Sequence, residues 1–318
     1  MLTYITRRLF QLVIVLIGVT LITFVMMFVV PGSPGQLLAG KDASPERIAA
    51  IEHRLGLDRP LYVQYGKFMW RLVHGDLGDS FRLGIPVTTL IKQNVGNTIQ
   101  LAIAAVLIEL LGIPLGIYSA LRQYTFWDTA LTTGALIVWG IPVFVLGLFM
   151  QWFFGYRLNL LPITGAGDNF LAIFPASLNS LEALILPAVT LGLIEVAYIS
   201  YMQRAAMLEV IRSDYVRTAR AKGLSERRVV LKHALKNAII PVMTIAGIDL
   251  GALMGGAILT ETVFARPGIG LMIYHAIGAR DLPVVAGGVL FATLVYVIAN
   301  LIVDLGYAYV DPRIRLEG

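Results

Sequence analysis

Long apolar runs alternate with shorter polar stretches along the chain, and this pattern predicts helices that cross a membrane. The first run covers residues 9–30 and carries no charge. At about 1.5 Å of rise per residue, a helix of this length crosses a hydrocarbon core about 30 Å thick. Five later runs have a similar apolar character, and they cover residues 97–121, 128–156, 183–204, 238–262 and 283–308. We therefore predict an all-α, polytopic membrane protein with six transmembrane helices.

Pro114 and Pro142 lie inside two of these runs. Proline removes a backbone hydrogen bond from a helix, and in a membrane the neighbouring helices can absorb such a break. The prolines therefore do not argue against the predicted spans.

Composition agrees with a membrane protein and excludes several other classes. Of the 318 residues, 57% are hydrophobic and 14% are charged, whereas soluble domains carry about 25% charged residues. The chain has no cysteine, which excludes disulfides, iron–sulfur clusters and thiolate zinc sites. Its four histidines form no pair with the spacing of metal ligands. We therefore expect no metal ion and no cofactor on this chain.

The positions of the basic residues predict how the chain is oriented. The net charge is +5, and lysines and arginines are concentrated near both ends of the chain and in residues 204–236. Loops on the cytoplasmic side of a membrane carry such an excess. We therefore expect both termini in the cytoplasm and attribute the charge to this asymmetry rather than to nucleic-acid binding. The first apolar run is too long for a signal peptide, so we interpret it as a retained anchor.

This orientation divides the chain into four parts. Residues 1–30 hold the N-terminal cytoplasmic end and the first membrane helix, and residues 31–95 form an extracytoplasmic segment. Residues 96–308 form a five-helix core that includes a cytoplasmic loop at residues 206–237. Residues 309–318 form a cytoplasmic tail.

The extracytoplasmic segment carries the signals of a small helical cap. Ser44 can cap a helix, Pro45 suits its first turn, and Gly56 suits its end. A second apolar stripe at helical spacing runs from Leu61 to Leu72. Two interpretations are open: the cap braces the first two membrane helices, or it docks a partner.

The basic cytoplasmic loop is the most informative stretch. Eight lysines and arginines fall within residues 212–236, and each would cost about 2.5–3.5 kcal/mol at the centre of a bilayer. The loop must therefore stay outside the membrane. Gly223 can take the left-handed turn that ends one helix, and Ser225 can cap a second helix. An apolar stripe before the turn has amphipathic spacing, and it comprises Leu208, Ile211, Tyr215 and Ala219.

This loop has two interpretations. It is either a solvated positive loop with lipid contacts or a lever whose apolar ridge fits a groove on a cytoplasmic partner. The first interpretation explains the charge, but it leaves the ridge and the glycine unexplained.

The loop resembles the coupling loop of permeases from ATP-binding cassette (ABC) importers, in the form typical of the dipeptide, oligopeptide and nickel group. The general signature is Glu-Ala-Ala, three residues, Gly, nine residues and Ile-x-Leu-Pro. Here Arg217-Thr218-Ala219 stands at the first motif, and Gly223 matches the glycine. His233-Ala234-Leu235-Lys236 stands at the second motif, with proline only at Pro241. Because the glutamate is missing, a salt bridge from it to an ATPase cannot be carried over.

Further segments resemble the same group in the same order along almost the whole chain. They cover residues 31–34, 55–62, 75–80, 186–188, 261–264, 266–270 and 311–313. The long extracytoplasmic segment is similar to that of the B-type permease of this group, whose partner is the related C-type subunit.

The resemblance implies a permease subunit of an ATP-driven importer of dipeptides or oligopeptides in a bacterial inner membrane. It implies three kinds of partner: a second permease, two cytoplasmic ABC ATPases that carry ATP and Mg, and an extracytoplasmic binding protein. The chain itself would be no enzyme. The residues at the ATPase-coupling positions would be Tyr215, Ala219, Arg220, Lys222, Gly223 and Leu224.

Other functions remain as alternatives. Nickel chelates and glutathione are other cargos of the same family. An ion-coupled secondary transporter and an intramembrane hydrolase are alternatives outside it. The hydrolase has little support, since the chain contains neither His-Glu-x-x-His nor Gly-x-Ser-x-Gly.

Acidic residues within the predicted membrane helices are candidates for the substrate pathway. A carboxylate is costly in a bilayer and usually faces a cavity or a partner. The candidates are Glu109, Glu195, Asp249 and Asp304. The same residues would form the ion relay of a secondary transporter, and structural hydrogen bonding is the simpler alternative.

Two further groups of residues are candidates on spacing and position. Small residues recur every four positions in the fifth predicted helix, at Gly247, Gly251 and Gly255. They allow close helix packing, either with the second permease or within this chain. The outer end of the same helix is followed by a turn, and this region holds Glu261, Phe264, Pro267 and Gly268. The resemblance implies an outer gate or docking rim here, and a plain turn between helices is the alternative.

Overall fold

The chain is built from helices joined by short connections. The computed structural model describes residues 2–29, 43–165 and 177–310 together with Gly35 and Ala39. Within these ranges the backbone is helical apart from turns, loops and one isolated bridge between Asp79 and Pro86. The all-α prediction is therefore confirmed for the described residues.

The helices are numbered here in chain order. They are α1 (Leu2–Val29), α2 (Pro45–Leu55), α3 (Leu61–Val73), α4 (Val87–Glu109), α5 (Gly112–Leu121), α6 (Phe126–Gly140), α7 (Val143–Met150), α8 (Leu178–Ile211), α9 (Asp214–Ala221), α10 (Glu226–Arg228), α11 (Leu235–Val263), α12 (Ile269–Ala279) and α13 (Leu282–Val310). Helix α7 continues as a π-helix over Gln151–Arg157, and α10 continues as a π-helix over Val229–Ala234.

Several of these helices are long and apolar enough to cross a membrane. Among the described residues, three stretches meet this condition alone: Val87–Leu121, Leu178–Ile211 and Leu282–Leu301. The pair Phe126–Gly140 and Val143–Arg157 meets it together, across a bend of 103°. Helices α1 and α11 coincide with the other two predicted runs. The structure thus confirms a helical protein with several apolar spans, while the number six and the side of each terminus stay predictions.

Pro114 and Pro142 lie at helix breaks. Ile141, before Pro142, adopts an extended conformation with φ −83° and ψ 125°, because proline disfavours the helical conformation at the preceding residue. Pro142 then stands at the N-cap of α7. Pro114 lies in the first turn of α5, after the break that ends α4. A missing N–H costs little in a first turn, since that N–H would have no helical partner.

Helix α5 packs very closely against α8, and two glycines make this possible. A Cβ on Gly112 would lie 2.9 Å from the carbonyl oxygen of Val196, and one on Gly116 would lie 2.5 Å from that of Ser200. Small residues four apart allow helix backbones to approach in this way. Sequence analysis singled out this spacing at Gly247, Gly251 and Gly255 instead. The side chains of residues 247–256 lie outside the described set, so the role of those glycines stays a prediction.

Residues 43–95 contain two helices, α2 and α3, where the sequence predicts the helical cap. Ser44 accepts a hydrogen bond from the N–H of Arg47, and Gly56 ends α2 in the left-handed conformation. The ring of Tyr65 in α3 packs edge-on against Phe24 of α1 at a centroid distance of 5.3 Å, and its hydroxyl shares a 3.0 Å hydrogen bond with Thr20. The interpretation that the cap braces the first membrane helix is supported, and partner docking stays a prediction.

Hydrogen bonds between distant parts of the sequence gather at two ends of the helical structure. At one end, Ser80 of the cap donates a hydrogen bond to Asp281, between α12 and α13. At the other end, Arg204 of α8 donates to Asp128 of α6. We name the first the cap end. The basic loop of residues 214–236, named the hairpin below, follows α8 at the second, which we therefore name the hairpin end. This grouping agrees with the predicted orientation, which places the cap and the hairpin on opposite sides of the membrane.

Candidate functional site

The hairpin leaves α8 through a two-residue break and leads directly into α11. Gly223 has φ +76°, a left-handed conformation that glycine adopts without steric cost, so the predicted glycine turn is confirmed. Ser225 stands at the N-cap of α10, but its hydroxyl makes no capping hydrogen bond. The predicted side-chain cap is therefore wrong. The N–H groups of Arg228 and Val229 instead donate to the backbone carbonyl of Ser225, over 2.9 and 3.0 Å.

The apolar face of the hairpin packs against its own chain. Val216 and Ala219 of α9 are buried together with Val229 and Val230, and they pack with Met207 of α8. The predicted ridge is not one continuous stripe, because the helix breaks between Ile211 and Asp214 and the new helix begins with a different face turned inward. The hairpin is therefore a compact unit fixed to α8 and α11.

The predicted coupling residues divide between the surface and this core. Tyr215, Arg220, Lys222 and Gly223 are exposed, Leu224 is half-buried, and Ala219 is buried. Their contact with an ATPase stays a prediction. Arg220, Lys222 and Gly223 lie at the glycine turn, whereas Tyr215 lies at the other end of α9, next to Asn237.

Polar contacts hold the two arms of the hairpin together. Arg220 donates two hydrogen bonds to Glu226 across the turn, at 2.7 and 3.1 Å. The Arg220 guanidinium lowers the pKa of the Glu226 carboxyl, and Glu226 raises the pKa of Arg220. Asn237 donates a 2.6 Å hydrogen bond to the hydroxyl of Tyr215. A force applied at the turn would therefore move the hairpin as one body.

A buried ion pair lies at the hairpin end, and sequence analysis missed it. Arg204 donates two hydrogen bonds to Asp128, at 2.6 and 2.8 Å. Ser119 donates a third at 2.6 Å, and the N–H of Tyr124 a fourth at 3.0 Å. This clamp ties the α5–α6 turn to the part of α8 that leads into the hairpin. The available signal was a lone carboxylate and a lone arginine, each at the edge of an apolar run.

Glu261 forms a second polar cluster at the cap end. The Thr98 hydroxyl of α4 donates to its carboxyl group over 2.6 Å. The N–H groups of Gly270 and Leu271, in the first turn of α12, donate to it over 2.7 and 3.2 Å. These N–H groups have no partner within the helix, and the positive end of the helix dipole favours a carboxyl group there. Glu261 thus links three helices: α4, α11 and α12.

The other predicted residues of the outer rim lie around Glu261. Phe264 is completely buried, and the carbonyl of Pro267 accepts a 2.7 Å hydrogen bond from Asn97. A Cβ on Gly268 would lie 2.1 Å from the Glu261 carboxyl group, so this position has no room for a larger residue. Glu261, Phe264 and Gly268 are buried, whereas Pro267 is exposed. The role of these four residues as a gate or docking rim stays a prediction.

Helix α12 was not foreseen, since the pattern around residues 267–270 was interpreted as a gate, a rim or a turn. The signal was present in the apolar spacing of Ile269, Met272, Ile273 and Ala276. Arg266 is also buried here, and it donates a 2.6 Å hydrogen bond to Gln100 of α4. In the sequence, Arg266 is a single charge between two apolar stretches, and this pattern does not indicate that it pairs with Gln100.

The membrane carboxylates are described only in part. Glu109 is buried near the C-terminal end of α4, and Glu195 is half-buried in α8. The side chains of Asp249 and Asp304 lie outside the described residues. The described residues contain no group of three or more acidic or histidine side chains that could hold a metal ion. The role of these four carboxylates in a substrate pathway stays a prediction.

Two family models match the chain over most of its length. Residues 112–316 match the binding-protein-dependent transport system inner membrane component, and residues 1–102 match the N-terminal part of binding-protein-dependent transport system membrane components. The first match includes the hairpin, both glycines of the α5–α8 contact and Glu261.

Curated relatives match from end to end. The dipeptide transport system permease protein DppB of Alkalihalophilus pseudofirmus is 44% identical over 99% of this chain and 100% of its own length. DppB of Escherichia coli strain K12 is 39% identical, with 99% of each chain covered. The di/tripeptide transport system permease protein DppB of Pseudomonas aeruginosa is 40% identical, again with 99% of each chain covered.

A solved structure shares the fold. A chain of the MetNI methionine ABC transporter, in an inward-facing conformation, is 19% identical with a TM-score of 0.56. The likeness covers 70% of this chain and 96% of that chain. At this identity it bears on the fold alone.

Proposed function

We propose that this chain, which belongs to the family of binding-protein-dependent transport system inner membrane components, is a permease subunit of an ATP-driven importer of dipeptides or oligopeptides. The observation that carries the proposal is the end-to-end similarity to permeases named for dipeptide transport, at 39% and 44% identity. The left-handed glycine turn of the hairpin, at the position that the coupling-loop resemblance indicates, supports it independently.

The proposed arrangement has six membrane helices in a bacterial inner membrane, with both termini and the hairpin in the cytoplasm and the cap outside. The chain would form half of the pathway, and a related second permease would form the other half. Two cytoplasmic ATPases would bind the hairpins, and a binding protein would deliver the peptide to the outer side. The separation of the cap end from the hairpin end supports this arrangement.

The mechanism that fits this geometry is alternating access. ATP would be bound and hydrolysed on the partner ATPases, whose closure would push on the hairpin. Because Arg220, Glu226 and the buried valines make the hairpin one unit, the push would be passed to α8 and α11. The Asp128–Arg204 clamp would carry α5 and α6 with α8. The pathway would then open outward and accept a peptide.

Reconstitution tests this function. The chain is assembled in liposomes with the second permease and the ATPases encoded beside it, and the binding protein is added outside. We expect uptake of a labelled dipeptide only when ATP is present inside, and no ATP hydrolysis by this chain alone. Uptake of glutathione or a nickel chelate, without uptake of the dipeptide, would show that the proposed cargo is wrong while the importer function holds. Uptake driven by an ion gradient without ATP would contradict the proposal.

The glycine turn supplies a sharper prediction. Gly223→Pro should abolish ATP hydrolysis that depends on the loaded binding protein, while the chain still inserts in the membrane. Proline fixes φ near −65°, whereas the native φ is +76°. It also removes the N–H that donates a 2.9 Å hydrogen bond to Arg220. The rate of ATP hydrolysis by the purified complex, with and without loaded binding protein, measures the effect.

Gly84 offers a matched control at the cap end. Its φ is +66°, and its N–H donates a 2.9 Å hydrogen bond to Ser80, so Gly84→Pro imposes a similar local cost far from the hairpin. The control complex should keep its ATPases and their stimulation. Normal stimulation in Gly223→Pro would show that the turn is not the coupling element.

A further inference from the structure

The two arms of the hairpin differ in how their cations are used. In the first arm, Arg217 pairs with Asp214 at 2.9 Å, and Arg220 pairs with Glu226 across the turn at 2.7 Å. Residues 227–236, named the second arm, hold four further cations. These cations are Arg227, Arg228, Lys232 and Lys236. All four are exposed, and none forms an ion pair or a hydrogen bond within the described part of the chain. Both acidic residues of the hairpin, Asp214 and Glu226, thus pair with arginines of the first arm.

The free cations lie on the outer face of the second arm. Val229, Val230 and Ala234 are buried on the opposite side. Arg228 and Lys232 are four residues apart, as are Lys232 and Lys236, so they follow one face of the helix. Leu231 lies beside this face, and its side chain is 50% exposed. The face therefore offers a row of positive charges and one apolar side chain.

The second arm runs without a break into α11, whose predicted membrane span begins at residue 238. In the proposed topology, Lys236 then lies at the membrane surface. Lys232 and Arg228 lie further out, four and eight residues before Lys236 along the helix. Long basic side chains extend toward the interface while their stems cover apolar surface. Charges within about 8–10 Å of the membrane still feel its surface potential at physiological salt.

We propose that the second arm is a binding surface for the headgroups of anionic phospholipids. The row of cations is complementary to phosphate headgroups, and clusters of basic residues next to a membrane helix attract anionic lipids. The first arm, in which Arg217 and Arg220 are paired and only Lys222 at the turn has no ion pair within the described residues, remains for the ATPase. The continuity with α11, which places the row of cations next to the membrane in the proposed topology, favours lipid over an acidic protein surface as the partner.

Native mass spectrometry tests this surface. The full chain, purified in a neutral detergent, is mixed with equal amounts of phosphatidylglycerol and phosphatidylcholine with the same acyl chains, and the retained lipids are counted. Wild type should retain phosphatidylglycerol in excess, and added salt should reduce the excess. Each basic residue near an anionic surface contributes about fivefold. Lys232 and Lys236 lie nearest the membrane and together account for about 25-fold. Replacing Arg227, Arg228, Lys232 and Lys236 with glutamine should therefore lower the preference by about 25-fold or more.

Two further variants separate charge from folding. Exchanging each lysine for arginine and each arginine for lysine at the four positions keeps the charge and should keep the lipid preference. A matched loss of four exposed cations from the cap should also keep it, with glutamine replacing Arg47, Arg54, Arg59 and Lys67. An unchanged preference in the second-arm glutamine variant would overturn the proposal. So would an equal loss in the cap variant. Loss of the ATPases from the second-arm variant, with lipid preference intact, would assign the surface to a protein partner.

This inference rests on the proposed topology but not on the cargo. The lipid count needs no transport, so it can fail while peptide uptake succeeds, and the reverse. The two proposals are therefore tested separately.

Discussion

Glu261→Ala is expected to lower the free energy of unfolding by about 3 kcal/mol or more. The substitution leaves the Thr98 hydroxyl and the N–H groups of Gly270 and Leu271 without their acceptor. Each buried donor that loses its partner costs about 1–3 kcal/mol. Helix α12 also loses the carboxyl group at its N-terminus. Unfolding of the purified chain by increasing fractions of SDS in mixed micelles, followed by circular dichroism, measures the change.

Two other substitutions make this result specific. Glu261→Gln keeps one acceptor oxygen and should cost less than alanine does. Glu182→Ala removes an exposed glutamate at the cap end of α8, and substitutions of this kind usually change stability by no more than about 0.5 kcal/mol. Equal stability of the Glu261→Ala and Glu182→Ala variants would show that the junction does not hold α12 in place.

The parts of the fold that depend on neighbouring residues could be predicted from the sequence. The cap of α2 at Ser44, its left-handed end at Gly56 and the turn at Gly223 all follow from local backbone chemistry, and the structure confirms them. The apolar runs likewise correspond to the long helices. A run of this length and hydropathy predicts a membrane helix whichever helices pack against it. The resemblance to a known family added predictions of the partners and the cargo.

The parts that depend on distant residues could not be predicted. Asp128 and Arg204 are 76 positions apart, and Thr98 and Glu261 are 163 apart. Each is a single polar residue in or beside an apolar run, and nothing in the local pattern states which one it meets. The inward face of α9 was missed for a related reason. The prediction continued the apolar periodicity of α8 into α9, across a break between Ile211 and Asp214. The position of this break depends on how the hairpin packs against α8.

The two polar clusters give the helices fixed points at opposite ends. Glu261 joins α4, α11 and α12 at the cap end, whereas Asp128 joins the α5–α6 turn to α8 at the hairpin end. Between them, Gly116 brings α5 and α8 into close contact. A displacement of the hairpin would therefore move α5, α6 and α8 together, while the junction at Glu261 keeps the cap end in register. In the proposed mechanism, the hairpin end is the end on which the ATPases push.

The clamp between Asp128 and Arg204 leads to the second large prediction. Removing either partner, by Asp128→Ala or Arg204→Ala, should cost about 3 kcal/mol, at the lower end of the 3–5 kcal/mol typical of breaking a buried pair. The side chains of Arg204 and Asp128 are 22% and 5% exposed, so little water can replace the lost partner. The double variant should cost about as much as either single variant, because each single change already breaks the interaction.

The pair of Arg71 and Asp76 in the cap is a matched control for this double-mutant cycle. It has the same residue types and a similar contact of 2.7 Å, but both side chains are 54% exposed. An exposed pair contributes about 0.2–1 kcal/mol, so its cycle should give a small coupling energy. SDS unfolding of all six variants compares the two cycles. If the coupling energies were equal, burial would add nothing to the clamp, and α8 would have to be linked to α5 and α6 by helix packing alone.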